Sequence, residues 1–131
     1  MKKILLFFLL AGCPIPVDLG LIVDGSGSIS RTNWGKTKEF LINITKEFEL
    51  SEKGSHVSIM VYSTNPKLDV KFNTFPGARH NTINLEKAIR DLGRARGSTF
   101  IDKALKLANE EMFTTASGMR TDVQRVSLEE S

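Results

Sequence analysis

Apolar and polar positions along this chain alternate between two periods. Residues 17–23 form a short apolar run that ends in Asp24-Gly25-Ser26-Gly27-Ser28, the pattern of a buried strand closed by a glycine-rich turn. From residue 33 to residue 50 the large apolar residues Trp34, Leu41, Ile44 and Phe48 recur at spacings of seven, three and four, which places them on one face of an amphipathic helix. Residues 56–62 are rich in β-formers, Asn65-Pro66 marks a turn, and residues 67–72 alternate Leu68, Val70 and Phe72 with polar side chains. This predicts two strands joined tightly into an antiparallel pair. Leu85, Ala88, Ile89 and Leu92 then mark a helix closed by Gly93, and Ile101, Leu105, Ala108 and Met112 mark another. Thr99 and Asp102 have the spacing of a capping box for that second helix.

Strand, helix, strand, antiparallel partner and two helices describe an α/β layer fold. After Phe113 the pattern fades, and residues 127–131 are polar and acidic, so they are expected to form a poorly ordered tail. At the other end, Met1-Lys2-Lys3 precedes an unbroken apolar run over residues 4–11. This pattern predicts a secretory signal peptide over residues 1–12. The run is far shorter than the ~20 residues of a membrane-spanning helix, so no transmembrane segment is expected. Leu10-Ala11-Gly12-Cys13 also matches the bacterial lipoprotein pattern, and both routes of export stay open.

The chain has 131 residues, 18 Lys and Arg against 15 Asp and Glu, and a formal net charge of +3. Mixed signs and so small an excess lack the basic footprint of a nucleic-acid binder. One cysteine cannot close an internal disulfide. With two histidines far apart in sequence, it cannot build a Cys/His zinc cluster either. No catalytic signature is present. Gly25-Ser26-Gly27 lacks the spacing of a nucleophile elbow, there is no phosphate loop, and the third glycine of a dinucleotide fingerprint is missing. The chain is therefore expected not to be an enzyme. Arg79, Arg90, Arg94 and Arg96 read as a solvated face.

The chemistry concentrates in Asp24-Gly25-Ser26-Gly27-Ser28. One carboxylate and two hydroxyls at alternate positions, separated by glycines, can bring three oxygens together at the end of a strand. One negative charge with neutral hydroxyls suits magnesium or manganese carrying retained waters better than a calcium cage. The carboxyl end of a strand in an open α/β sheet is also where ligands bind. A plain Asx- or Ser-stabilised turn is the other use of such residues.

The segment Val-Asp-Leu-Gly-Leu-Ile-Val-Asp24-Gly-Ser26-Gly-Ser28-Ile-Ser resembles the first strand and metal loop of a von Willebrand factor type A domain. His56-Val-Ser-Ile-Met-Val-Tyr-Ser is similar to that family's second strand, and Arg96-Gly-Ser-Thr99-Phe-Ile-Asp102-Lys-Ala-Leu to the segment supplying its second metal loop. The resemblance implies a doubly wound, Rossmann-like open sheet over residues 13–126. It also implies a metal-ion-dependent adhesion site with Asp24, Ser26 and Ser28 as ligands and Thr99 contributing directly or through water. The implied cofactor is Mg2+ or Mn2+, weakly bound, and the implied partner is a secreted matrix or collagen-like protein that offers a carboxylate. The family's later central strand, ending in a Thr-Asp-Gly-type loop, has no counterpart in the residues after Val126. The expectation is thus a partial domain whose first strand lacks a neighbour on one side, with a non-binding fragment of a longer adhesion protein as the alternative. Asn43-Ile44-Thr45 is an N-glycosylation sequon, with Asn43 beside the apolar stripe of the first helix.

Overall fold

The computed structural model describes residues 15–94 and 96–130. Its elements run β1 (Val17–Asp24), α1 (Arg31–Lys46), β2 (His56–Tyr62), β3 (Lys67–Val70), α2 (Thr82–Arg90), α3 (Ile101–Leu107) and β4 (Gln124–Glu130). A π-helical turn at Ala108–Met112 continues α3, and 3-10 turns lie at Gly77–Arg79 and Thr115–Ser117. The expected signal segment over residues 1–12 and Cys13 lie outside the described residues.

The sheet order is β3-β2-β1-β4. Strand β1 pairs in parallel with both β2 and β4, whereas β3 runs antiparallel to β2. Every residue of β1 is buried, which explains its unbroken apolar run, because a parallel strand is covered on both faces. On one face Leu19, Leu21 and Val23 join Val57, Ile59, Trp34, Leu41 and Ile44 of α1, and Leu85 and Ile89 of α2. On the other, Ile22 joins Met60, Tyr62, Phe72, Ala104, Ala108 and Met112. Helices on both faces of an open sheet give the expected α/β architecture, and the antiparallel β2–β3 pair is as the turn at Asn65-Pro66 predicts.

Helix α1 starts where Ser30 Oγ accepts a hydrogen bond from the Asn33 amide at 3.1 Å, which satisfies one of the free N–H groups of its first turn. It stops at Lys46, so Phe48 packs against the core from beyond the helix. Helix α2 is capped in the same manner by Asn81, whose Oδ1 accepts from the Asn84 amide at 2.9 Å.

Four expectations are corrected. Residues 127–130 are not a loose tail; they belong to β4, which pairs with β1 in continuous register from Val17↔Gln124 to Val23↔Glu130. Strand β1 therefore has a neighbour on each side. The signal was weak because β4 offers the core only Val126 and Leu128, and the open edge of β1 recruits it through backbone hydrogen bonds, which its sequence does not advertise. The capping box at Thr99 does not form. The cap residue of α3 is Phe100, without a side-chain bond, and Thr99 is exposed. The nearby amides are taken instead by the loop after β2, Ser98 N donating to Thr64 Oγ1 and Phe100 N to Ser63 O. Finally, the buried stripe of α3 and its continuation is Ala104, Ala108 and Met112, while Ile101 and Leu105 face solvent.

Met112 at the end of that stripe, with Phe113, packs closely against the sheet over Gly20. A Cβ at Gly20 would lie 2.6 Å from Phe113 Cζ and 2.7 Å from Met112 Sδ. Gly20→Ala is therefore expected to cost about 1–3 kcal/mol of stability through overpacking. A urea titration that gives the wild-type midpoint for this variant would contradict the contact.

Candidate metal centre

Asp24 is the last residue of β1, at the carboxyl end of the sheet, and is only 8% exposed. Its Oδ1 accepts a hydrogen bond from the Ser26 amide at 2.8 Å, an Asx-turn that bends the chain out of the strand. The same turn brings the Ser26 and Ser28 hydroxyls to within 2.9 Å of each other, Ser26 buried and Ser28 exposed. Gly25 N donates to Tyr62 O at 2.8 Å, so β2 carries the turn on its own last residue.

A second loop is fastened to the first by reciprocal backbone bonds. Gly27 N donates to Gly97 O and Arg96 N to Gly25 O, each at 2.9 Å. Arg94 Nη1 also donates to Ile29 O. Arg96 has φ +60°, a left-handed conformation that a side chain adopts at a cost and that the two-loop clasp holds in place. A third loop, at the end of β2, closes behind them. A Cβ on Gly97 would overlap Thr64 Oγ1 and lie 2.9 Å from the Thr64 amide nitrogen, so only glycine allows this approach. Lys103 Nζ donates to Thr64 O at 3.3 Å and lies 4.8 Å from the centre of the Phe100 ring.

Of the expected site residues, Asp24, Ser26 and Ser28 form one cluster. Thr99 belongs to the adjoining clasped loop, between two residues whose amides are held by Thr64 and Ser63, and hydrogen-bonds to none of the three among the described residues. Asn43 stands on the exposed face of α1. Sequence reasoning missed Thr64 and Gly97. Their available signal was a Ser-Thr pair directly after a predicted strand, and a glycine opposite it.

The electrostatics are unbalanced. Among the described residues no Lys, Arg or His lies within ion-pair distance of the Asp24 carboxylate. Burial pushes the Tyr62 phenol up to about 12, and the negative charges of Asp24 and Glu129 add to the rise. The carboxyl ends of β1, β2 and β4 thus carry a negative field. Among the described residues no group of three or more His, Cys, Asp or Glu is placed to hold a metal ion. The β1 turn itself offers one carboxylate, Asp24, with the Ser26 and Ser28 hydroxyls, a hard donor set that would fit a small divalent cation completed by water. No helix among the described residues is long and apolar enough to cross a membrane.

A family profile of the von Willebrand factor type A domain matches residues 18–128. The human collagen alpha-1(XXI) chain is 33% identical over 108 residues, which cover 82% of this chain and 11% of that protein. Mouse vitrin is 29% identical over 101 residues, covering 77% of this chain and 15% of that protein. The chain thus spans only a small part of the length of the curated relatives it matches. Among solved structures, proximal thread matrix protein 1 from the mussel byssus, with a zinc-occupied MIDAS motif, superposes with a TM-score of 0.83. The match is 22% identical and covers 91% of this chain and 31% of that one, a likeness of fold.

Proposed function

The chain belongs to the von Willebrand factor type A domain family, and from that premise we propose that it is a non-enzymatic extracellular binding module with a divalent cation at the β1 loop. Asp24, Ser26 and Ser28 are the residues that would hold magnesium or manganese, with Thr99 contributing directly or through water. The observation that carries this reading is the buried Asp24 carboxylate, without a cationic partner among the described residues, beside two hydroxyls 2.9 Å apart at the carboxyl end of β1. The ion would offset the charge there and present an open position to a carboxylate of the partner. The chain's own residues supply the frame: the clasp between the loops of Gly25 and Gly97 fixes the hydroxyls, and Thr64 holds the second loop in place. Phe100, Ile101 and Leu105, exposed beside that loop, add apolar area for a protein partner.

The partner proposed is a matrix or collagen-like protein, in keeping with the collagen chain among the relatives. Secretion through residues 1–12 and glycosylation at the exposed Asn43 belong to the same reading. Calorimetric titration of the chain with Mn2+ tests it. Saturable binding is expected, abolished by Asp24→Ala and weakened by Ser26→Ala, with an unchanged melting temperature for the metal-free Ser26→Ala protein. An affinity unaffected by Asp24→Ala, or no saturation in the wild type, would overturn the assignment.

A further inference from the structure

Residues 96–103 form a strap between two other loops. At its first end, Arg96 N donates to Gly25 O and Gly97 O accepts from Gly27 N, each at 2.9 Å, which ties the strap to the turn that carries Asp24, Ser26 and Ser28. Further along, the loop after β2 takes over. Thr64 Oγ1 accepts the Ser98 amide at 2.9 Å, Ser63 O the Phe100 amide at 3.2 Å, and Thr64 O a hydrogen bond from Lys103 Nζ at 3.3 Å.

Thr99 lies in the middle of this strap. Its neighbours on both sides have their amides held by Thr64 and Ser63, whereas Thr99 itself bonds to none of Asp24, Ser26 and Ser28 among the described residues. Helix α3 adds no fastening through its cap, because Phe100 makes no side-chain cap bond. We propose that Thr64 is a positioning residue of the metal site: it fixes the loop that presents Thr99 to a cation held by Asp24, Ser26 and Ser28, and so sets the affinity for that cation without ligating it. This rests on the metal reading above. A ligand on a separate loop adds its full worth only where the loop is ordered before the ion arrives, since otherwise binding must also supply the ordering entropy. The strap needs such ordering, because Arg96 is held at φ +60°, a conformation that a residue with a side chain leaves readily once released.

Thr64 is the point at which this fastening can be varied. Ser63 O and Thr64 O are main-chain acceptors that any residue would supply, whereas Thr64 Oγ1 depends on the side chain. Thr64 is also exposed, so water can take over the Ser98 amide when the hydroxyl is lost, at little cost to the fold. Positioning and stability therefore separate at this residue. The close approach of Gly97 adds to the same contact, because a Cβ there would overlap Thr64 Oγ1.

Thr64→Val keeps the shape of the side chain and removes the acceptor, and Thr64→Ser keeps the acceptor. In calorimetric titrations of the full chain with Mn2+, Thr64→Val is expected to bind about tenfold more weakly than the wild type or worse, and Thr64→Ser within about threefold of it. The metal-free melting temperatures of all three proteins are expected to agree within about 3 °C. Amide hydrogen exchange, followed by NMR on the metal-free proteins, is expected to quicken at Ser98 in Thr64→Val and not in Thr64→Ser. Equal Mn2+ affinity for Thr64→Val and the wild type, an equal loss in Thr64→Ser, or unchanged exchange at Ser98 would overturn the proposal and leave the metal assignment standing. A larger fall in the melting temperature of Thr64→Val would assign Thr64 a structural role instead. No saturation in the wild type would overturn the metal assignment itself, and the proposal with it.

Discussion

Arg120→Ala is expected to lower the free energy of unfolding by about 3–5 kcal/mol, a large part of the total stability of a small domain. The reason lies at the start of β1. Asp18 is fully buried, and its carboxylate is held by one residue: Oδ2 accepts from the Arg120 amide at 2.7 Å, and Oδ1 from Arg120 Nε at 3.0 Å and Nη2 at 2.8 Å. Arg120 Nη2 also reaches Val17 O at 3.4 Å. Alanine keeps the amide bond but removes the guanidinium, leaving a buried anion without a counter-charge. Replacing both partners by apolar residues of similar size removes the anion as well, so Asp18→Leu/Arg120→Met should fall much closer to the wild type than either single change. Urea unfolding of Arg120→Ala, the double variant and its two single changes is the measurement. A loss below about 1 kcal/mol for Arg120→Ala, the worth of an exposed pair, would show that this ion pair is effectively solvated.

Nothing local in the sequence announces that pair. Asp18 reads as an interruption in an apolar run, and Arg120 lies 102 residues further on in a stretch without periodicity. What was legible is what short-range physics sets. The apolar density of β1 and β2 reports burial on both faces, and the Trp34/Leu41/Ile44 spacing reports one face of α1, each within a window of a few turns. The weaker strand β4 and the stripe of α3 were misread for a common reason. Both depend on small or polar residues whose value comes from a neighbour, β4 from the free edge of β1, and Ala104 and Ala108 from their packing with Ile22, Met60 and Tyr62 of the sheet.

The candidate site divides along the same line. Asp24, Ser26 and Ser28 lie within five residues, so one turn brings them together and the sequence shows it. The clasp that sets their surroundings is long-range. Gly97 is selected by the bulk of Thr64, and Thr64 fixes the loop by accepting the Ser98 amide, while the cap of α3 falls one residue beyond the expected threonine. A spacing rule cannot see a hydrogen bond made by a distant residue.

Acidification is expected to destabilise the fold through His80, a residue for which the sequence supplies no role. Its ring is 1% exposed, its Nε2 accepts the Val57 amide at 3.1 Å, and it lies 4.6 Å, centroid to centroid, from His56. Acceptance at Nε2 fixes the neutral form with its proton on Nδ1; a proton added at Nε2 would face the Val57 N–H. Burial first, then His56 and Arg120, lower the His80 pKa from its ordinary 6.5 to about 4, against a smaller opposing contribution from the Phe75 backbone. The unfolded chain therefore takes up a proton near pH 6.5 that the native state declines until about pH 4. Between those values the unfolded state binds more protons, so stability falls as the pH drops through this window and is insensitive to His80 above it. The full effect is roughly 3 kcal/mol. His80→Gln keeps an acceptor for Val57 but cannot titrate, so its stability relative to wild type should rise as the pH is lowered from neutrality to about 4. Parallel pH profiles for the two proteins, from chemical denaturation, would show that His80 is protonated in the native state if their difference stayed constant across that range.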